Sequence, residues 1–98
     1  MCYDNSKMTQ TAKHIVFSGR VQGVGFRFTV MNIANRHGLT GYVRNMSDGT
    51  VEMWAQGSPE DIEKSIKKIQ ESFEGYIKQT TTAEGPTDQG CSDFRITF

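Results

Sequence analysis

The sequence predicts a single small domain of mixed α and β structure, in the order β-α-β-β-α-β-β, and three observations carry that reading. Apolar residues alternate at period two in short runs such as Val51, Met53 and Ala55, as in strands with one covered face. They recur at helical spacing in two longer runs, at Phe26, Val30, Ile33 and Ala34 and again at Ile62, Ile66, Ile69 and Phe73. The chain has 98 residues, and a chain of that length hides roughly two-thirds of its unfolded surface, enough for one core without metal or disulfide staples.

Residues 1–12, MCYDNSKMTQTA, are polar and patternless and read as a flexible tail, leaving 13–98 as the domain. His14 to Phe17 is a short β-type run ended by Ser18 and Gly19. The first helix runs from Phe26 to His37, with Arg36 and His37 in its last turn and Gly38 where a helix commonly closes. A hairpin follows: Thr40–Met46 and Thr50–Gln56 flank Ser47, Asp48 and Gly49, and Asp-Gly is a strong tight-turn signal. Ser58, Pro59, Glu60 and Asp61 then supply a cap, a first-position proline and first-turn acids for the second helix. On its outer face Glu60 and Lys64, and Glu63 and Lys67, stand four apart as solvated pairs. Tyr76–Thr82 is rich in β-branched residues and reads as a strand, Glu84–Ser92 as a loop, and Asp93–Phe98 as a last strand in which Phe94, Ile96 and Phe98 alternate. Trp54 belongs either to an open sheet face or beneath a helix.

Composition narrows the function classes. Lys and Arg number 11, as do Asp and Glu, so the formal charge is zero. It is divided unevenly, with six basic against two acidic residues in 1–50 and five against nine in 51–98. No basic run suggests a nucleic-acid footprint. No apolar run approaches the ~18 residues of a membrane span, and 1–13 lack a signal-peptide block, so a cytoplasmic address is expected. Cys2 and Cys91 lack metal-ligand spacing and are expected to be free thiols, with a disulfide between them as the alternative.

The stretch SGRVQGVGFR, Ser18 to Arg27, carries the chemistry. No Gly-Lys-Ser/Thr follows it, the third glycine of a dinucleotide fingerprint is missing, and Val21 stands where a cysteine phosphatase loop would need its nucleophile. His14 and His37 form no metal or triad pattern. What remains is an anion cradle, since glycines let successive N–H groups turn inward and a helix start presents unpaired donors. Arg27 opposes the helix dipole there by ~0.3–1 kcal/mol. It either points to solvent or grips an anion, and a local rule broken this way often marks function. Asn45 either begins the hairpin or serves a site. If the first two strands share a sheet they run parallel with a right-handed crossover, which brings the loop and Asn45 to one rim. Arg20 and Arg44 either add positive potential or are plain surface residues.

Gly19-Arg20-Val21-Gln22-Gly23-Val24-Gly25-Phe26-Arg27 closely resembles the signature loop of the acylphosphatase family, and Gly41-Tyr42-Val43-Arg44-Asn45 with Asp48-Gly49-Thr50-Val51-Glu52 looks like its second motif. Their spacing, the element order and Ser92-Asp93-Phe94-Arg95-Ile96 fit as well, from about Lys13 to Phe98. The tail and Cys91 lie outside the pattern. The resemblance implies an α+β, ferredoxin-like α/β sandwich, with two helices on one face of a mainly antiparallel sheet and an extra C-terminal strand. It implies an enzyme, an acylphosphatase, hydrolysing the carboxyl-phosphate bond of small acyl phosphates to carboxylate and inorganic phosphate, as a monomer without metal, cofactor, nucleic acid or membrane. By position, Arg27 would hold the phosphate with the backbone of Gln22, Gly23, Val24, Gly25 and Phe26, and Asn45 would orient the attacking water. A non-catalytic anion-binding or interaction module on the same fold is the rival. An RNA-binding domain is disfavoured, because neither a basic face nor an exposed aromatic pair of the RNP type is evident.

Overall fold

The structure, a computed structural model, describes residues 10–98. The order is β1 (Thr11–Gly19), α1 (Phe26–Arg36), β2 (Thr40–Asn45), β3 (Val51–Gly57), α2 (Pro59–Ser72), β4 (Ile77–Gly85) and β5 (Phe94–Ile96). One sheet has the order β4-β1-β3-β2-β5. β1 pairs antiparallel with β3 and β4, and β2 antiparallel with β3, while β2 and β5 are parallel. β1 and β2 therefore point the same way with β3 between them, so the loop after β1 and the end of β2 share a rim. This is the expected ferredoxin-like sandwich with its extra C-terminal strand.

Alternation along the strands builds the core. Ile15 and Phe17 of β1, Val51, Met53 and Ala55 of β3, and Val43 of β2 all face the helices and are buried. α1 adds Phe26, Val30, Ile33 and Ala34, and α2 adds Ile62 and Ile69. At one end Phe26 packs between Phe17 and Phe73, with ring centroids 5.1 and 4.7 Å away. α1 closes as expected at Gly38, φ +70°, with a Leu39 N–H bond to the Ala34 carbonyl. α2 opens on Ser58, whose Oγ accepts the Asp61 N–H at 3.1 Å.

Several boundaries differ from expectation, for reasons of pairing. β1 begins at Thr11, not His14, and so takes the last two residues of the segment read as tail. Ala12 is buried because it pairs with Gln56 on one side and Gly85 on the other. β4 starts at Ile77 and runs to Gly85, past the expected end at Thr82, and draws Glu84 and Gly85 out of the predicted loop to pair with that same start of β1. The hairpin strands close one residue earlier, at Asn45, and open one later, at Val51. β5 ends at Ile96, so the inward alternation stops short of Phe98, which is 96% exposed. Residues 1–9 of the tail, including Cys2, lie outside the described residues.

The sheet face away from the helices is also partly covered. Glu52 and Gln56, on the polar side of β3, are buried. Glu52 accepts hydrogen bonds from His14 Nε2 of β1 and Arg44 Nε of β2. Burial works against its ionisation, but those bonds and the neighbouring positive charges outweigh it, and its carboxyl sits below the ordinary glutamate value. Gln56 binds the Thr40 hydroxyl and both the carbonyl and N–H of Asp88, tying the loop after β4 down onto this face. Trp54 stacks there on Tyr42, with centroids 6.2 Å apart.

Candidate active site

The loop between β1 and α1 is pinned at three points. Val21 and Phe26 are buried in the core, and the Arg20 N–H donates to the Tyr76 carbonyl at 2.8 Å. Between those apolar anchors Gln22, Gly23, Val24 and Gly25 are exposed. Gly23 and Gly25 have φ of +79° and +76°, and a Cβ on either would meet nothing within 4 Å. Backbone conformation, not crowding, therefore demands glycine at both positions. Gly25 is the N-cap of α1 and offers no side-chain cap. The first helical bond runs from the Thr29 N–H to the Gly25 carbonyl at 3.1 Å. The N–H groups of Phe26, Arg27 and Phe28 come before it and have no carbonyl within the helix.

Phe26 is drawn into the core, which places Arg27 at the rim. Arg27 and Asn45 line one compact cavity of about 160 Å³, together with Val21, Gly23, Gly25, Phe26, Phe28 and Ile96. Gln22 and Val24 belong to the same loop but not to the cavity lining. Among the described residues no carboxylate pairs with Arg27; its guanidinium lies 5.4 Å from the Phe98 ring centroid. Asn45 ends β2 opposite Val51, on the helix side of the sheet. Its Oδ1 is buried and has no hydrogen-bond partner. A buried amide oxygen without a partner is costly, and here it belongs to a residue that lines the same cavity as an unneutralised cation.

Other cations are elsewhere. Arg44 is on the opposite sheet face with Glu52, Arg95 pairs with Asp93, and Arg20 lies over the Tyr76 ring at 5.9 Å. A larger hollow of about 650 Å³ lies on the open sheet face, beside His14, Tyr42, Trp54 and Cys91. It is mainly apolar and includes none of the cradle's glycines, so the smaller cavity is the better candidate for phosphate chemistry. Among the described residues no cluster of three or more His, Cys, Asp or Glu could hold a metal ion, and no helix is long and apolar enough to cross a membrane.

Sequence reasoning missed two contacts. The Gln22 side chain turns away from the cavity and donates to the carbonyls of Met46 and Thr50, each at 2.9 Å. Phe98, expected as part of the alternation of the last strand, lies outside that strand with its ring beneath the Arg27 guanidinium. Both depend on where the hairpin and the chain end arrive in space, and no local pattern reports that.

The family model described as Acylphosphatase matches residues 13–96. An acylphosphatase of Chlorobaculum tepidum is 39% identical over 91% of this chain and 98% of its own length. Among solved structures, an acylphosphatase from Coxiella burnetii superposes with a TM-score of 0.86 at 31% identity, covering 97% of this chain and all of that one. An acylphosphatase from Bacillus subtilis does so with a TM-score of 0.81 at 30% identity, covering 89% and 98%.

Proposed function

The chain belongs to the acylphosphatase family and has that enzyme class, and from this premise we propose that the phosphate of a small acyl phosphate sits in the cavity between the glycine loop and Asn45. The main-chain N–H groups from Gln22 to Phe26 and the guanidinium of Arg27 hold its oxygens, and Asn45 aims the water at phosphorus. The observation that carries the reading is that two residues with unmet partners line one small cavity: Arg27, without a carboxylate, and Asn45, whose buried carboxamide oxygen has no donor.

The chemistry suits so sparse a site. The carboxylate leaves readily, so no strong side-chain acid is required, and phosphoryl transfer rests on positioning and charge stabilisation. The cradle meets charge that spreads over the equatorial oxygens in the transition state. The Asn45 Oδ1 accepts a hydrogen bond from water and fixes its line of approach. Carboxylate and inorganic phosphate leave. The same reading has a cytoplasmic monomer act without metal, nucleic acid or membrane.

Hydrolysis of benzoyl phosphate by purified wild type, Arg27→Ala and Asn45→Ala, with and without chelator, tests this. Each variant is expected to lose at least ~10²-fold in kcat/KM, by analogy with loss of a preorganised donor, and the wild type to keep its activity in chelator. Near-normal turnover by either variant refutes the assignment of roles. Phosphate binding without turnover by the wild type would instead favour an anion-binding module.

A further inference from the structure

We propose that the Gln22 carboxamide is a positioning residue that locks the phosphate cradle to the strand end carrying Asn45. The inference rests on the proposed function and deepens it. The cradle, Gln22 to Phe26, and Asn45 lie 19 to 23 residues apart in the chain, and their mutual position must be held closely if water is to approach in line with the leaving carboxylate. The main-chain loop between Val21 and Phe26 makes no ladder bond to the hairpin. Gln22 supplies the link.

Its Nε2 has two hydrogens and uses both. One goes to the carbonyl of Met46 and the other to the carbonyl of Thr50, at 2.9 Å each. Met46 follows Asn45 directly, and Thr50 precedes Val51, the residue paired with Asn45 across the ladder. Gln22 thus bridges both legs of the hairpin immediately beyond the Asn45–Val51 pair. The two carbonyls are themselves fixed, because Met46 N–H donates to Thr50 and Gly49 N–H donates to Met46. Asp48 closes the turn by accepting from both the N–H and the hydroxyl of Thr50. A planar amide on a two-methylene stem meets these demands: asparagine is one methylene short, and glutamate would set a carboxylate against two carbonyls and the substrate's own negative charge.

Because the Gln22 side chain is turned to the hairpin carbonyls and lies outside the cavity lining, its effect passes through alignment. A misplacement of about 1 Å can cost about 10²-fold, so losing this link while the Val21 and Phe26 anchors remain is expected to lower kcat about 10-fold. Phosphate affinity should hold, since the cradle and Arg27 are intact.

The test uses the full chain with benzoyl phosphate as substrate and inorganic phosphate as competitive inhibitor. Gln22→Met keeps size and removes the donors, and Gln22→Glu keeps shape and reverses the fit. Both are expected to lower kcat about 10-fold or more, with the phosphate inhibition constant of Gln22→Met within about twofold of wild type. In an Asn45→Ala background the same Gln22→Met change should cost less than about twofold, because coupled residues are non-additive. Thermal unfolding confirms that each variant is folded. Unchanged kcat in Gln22→Met, an equal penalty in both backgrounds, or phosphate affinity falling in parallel with kcat would overturn the inference. Failure of the wild type to hydrolyse benzoyl phosphate would sink the functional reading itself, and is a separate result.

Discussion

Arg27 shows how a residue can be legible in sequence by being wrong for its place. A cation in the first turn opposes the helix dipole, and the structure gives it no carboxylate partner among the described residues, only an exposed ring. Its fork should matter as much as its charge, because guanidinium meets phosphate through parallel donors and ammonium through one point. Arg27→Lys is therefore expected to lose about 10- to 100-fold in kcat/KM, the loss of roughly one charged hydrogen bond, and to weaken inhibition by inorganic phosphate. Steady-state kinetics with phosphate titration checks this; a lysine variant at wild-type rate would show that charge alone suffices. The contact with Phe98 is a lesser matter. An exposed cation–π pair contributes about 0.5–1 kcal/mol, so Phe98→Ala should change kcat/KM by no more than about fivefold. Asn45 could be suspected from its strand-end position, but its unpartnered oxygen could not. That depends on Val51 and the cradle arriving on either side of it.

The two helices begin under opposite rules, and the contrast separates stability from activity. α2 has Ser58 as cap, Pro59 at its first position and Glu60 and Asp61 in the first turn, and the sequence announced all of this. Ser58→Ala should cost about 1 kcal/mol, a Tm drop of about 4–8 °C for a chain near this size, with kcat/KM unchanged. α1 instead begins on Gly25 in the left-handed region, with no side-chain cap and no acid in its first turn. Its free N–H groups are what an anion needs. Gly25→Ala forces a Cβ into φ +76° and is expected to cost about 1–2 kcal/mol, similar to the loss of the Ser58 cap, while also lowering kcat/KM at least 10-fold through the displaced cradle. Thermal melts and kinetics on the pair make the comparison; equal activity in both would dissociate the loop from catalysis. Element identity was readable throughout because periodicity and caps are local. The ends of β1 and β4 were not, because Thr11, Ala12 and Ala83 to Gly85 are strand only through each other and β3.

At the scale of the molecule, the sheet has two kinds of covered face. The helix side is hydrophobic and was legible from alternation at Val51, Met53 and Ala55. The other side is held by a polar network that a period-two pattern reads only as polar. Glu52 joins β1, β3 and β2 through His14 and Arg44, linking strands distant in sequence. Its folded-state carboxyl is depressed below the ordinary value of 4.5, so the unfolded chain binds the proton more readily. The resulting stability is fully present above about pH 4.5 and is lost as pH falls through the lower folded value. Glu52→Gln removes that titration while keeping the size of the side chain. The Tm gap between wild type and Glu52→Gln should then be widest near neutral pH and narrow steadily on acidification below about pH 4.5, the two melting curves converging at the acid end. Melts across pH 2.5–7.5 at low salt test this. A gap constant with pH would mean that Glu52 contributes through packing and hydrogen bonding alone, and that its ionisation is no part of what holds the three strands together.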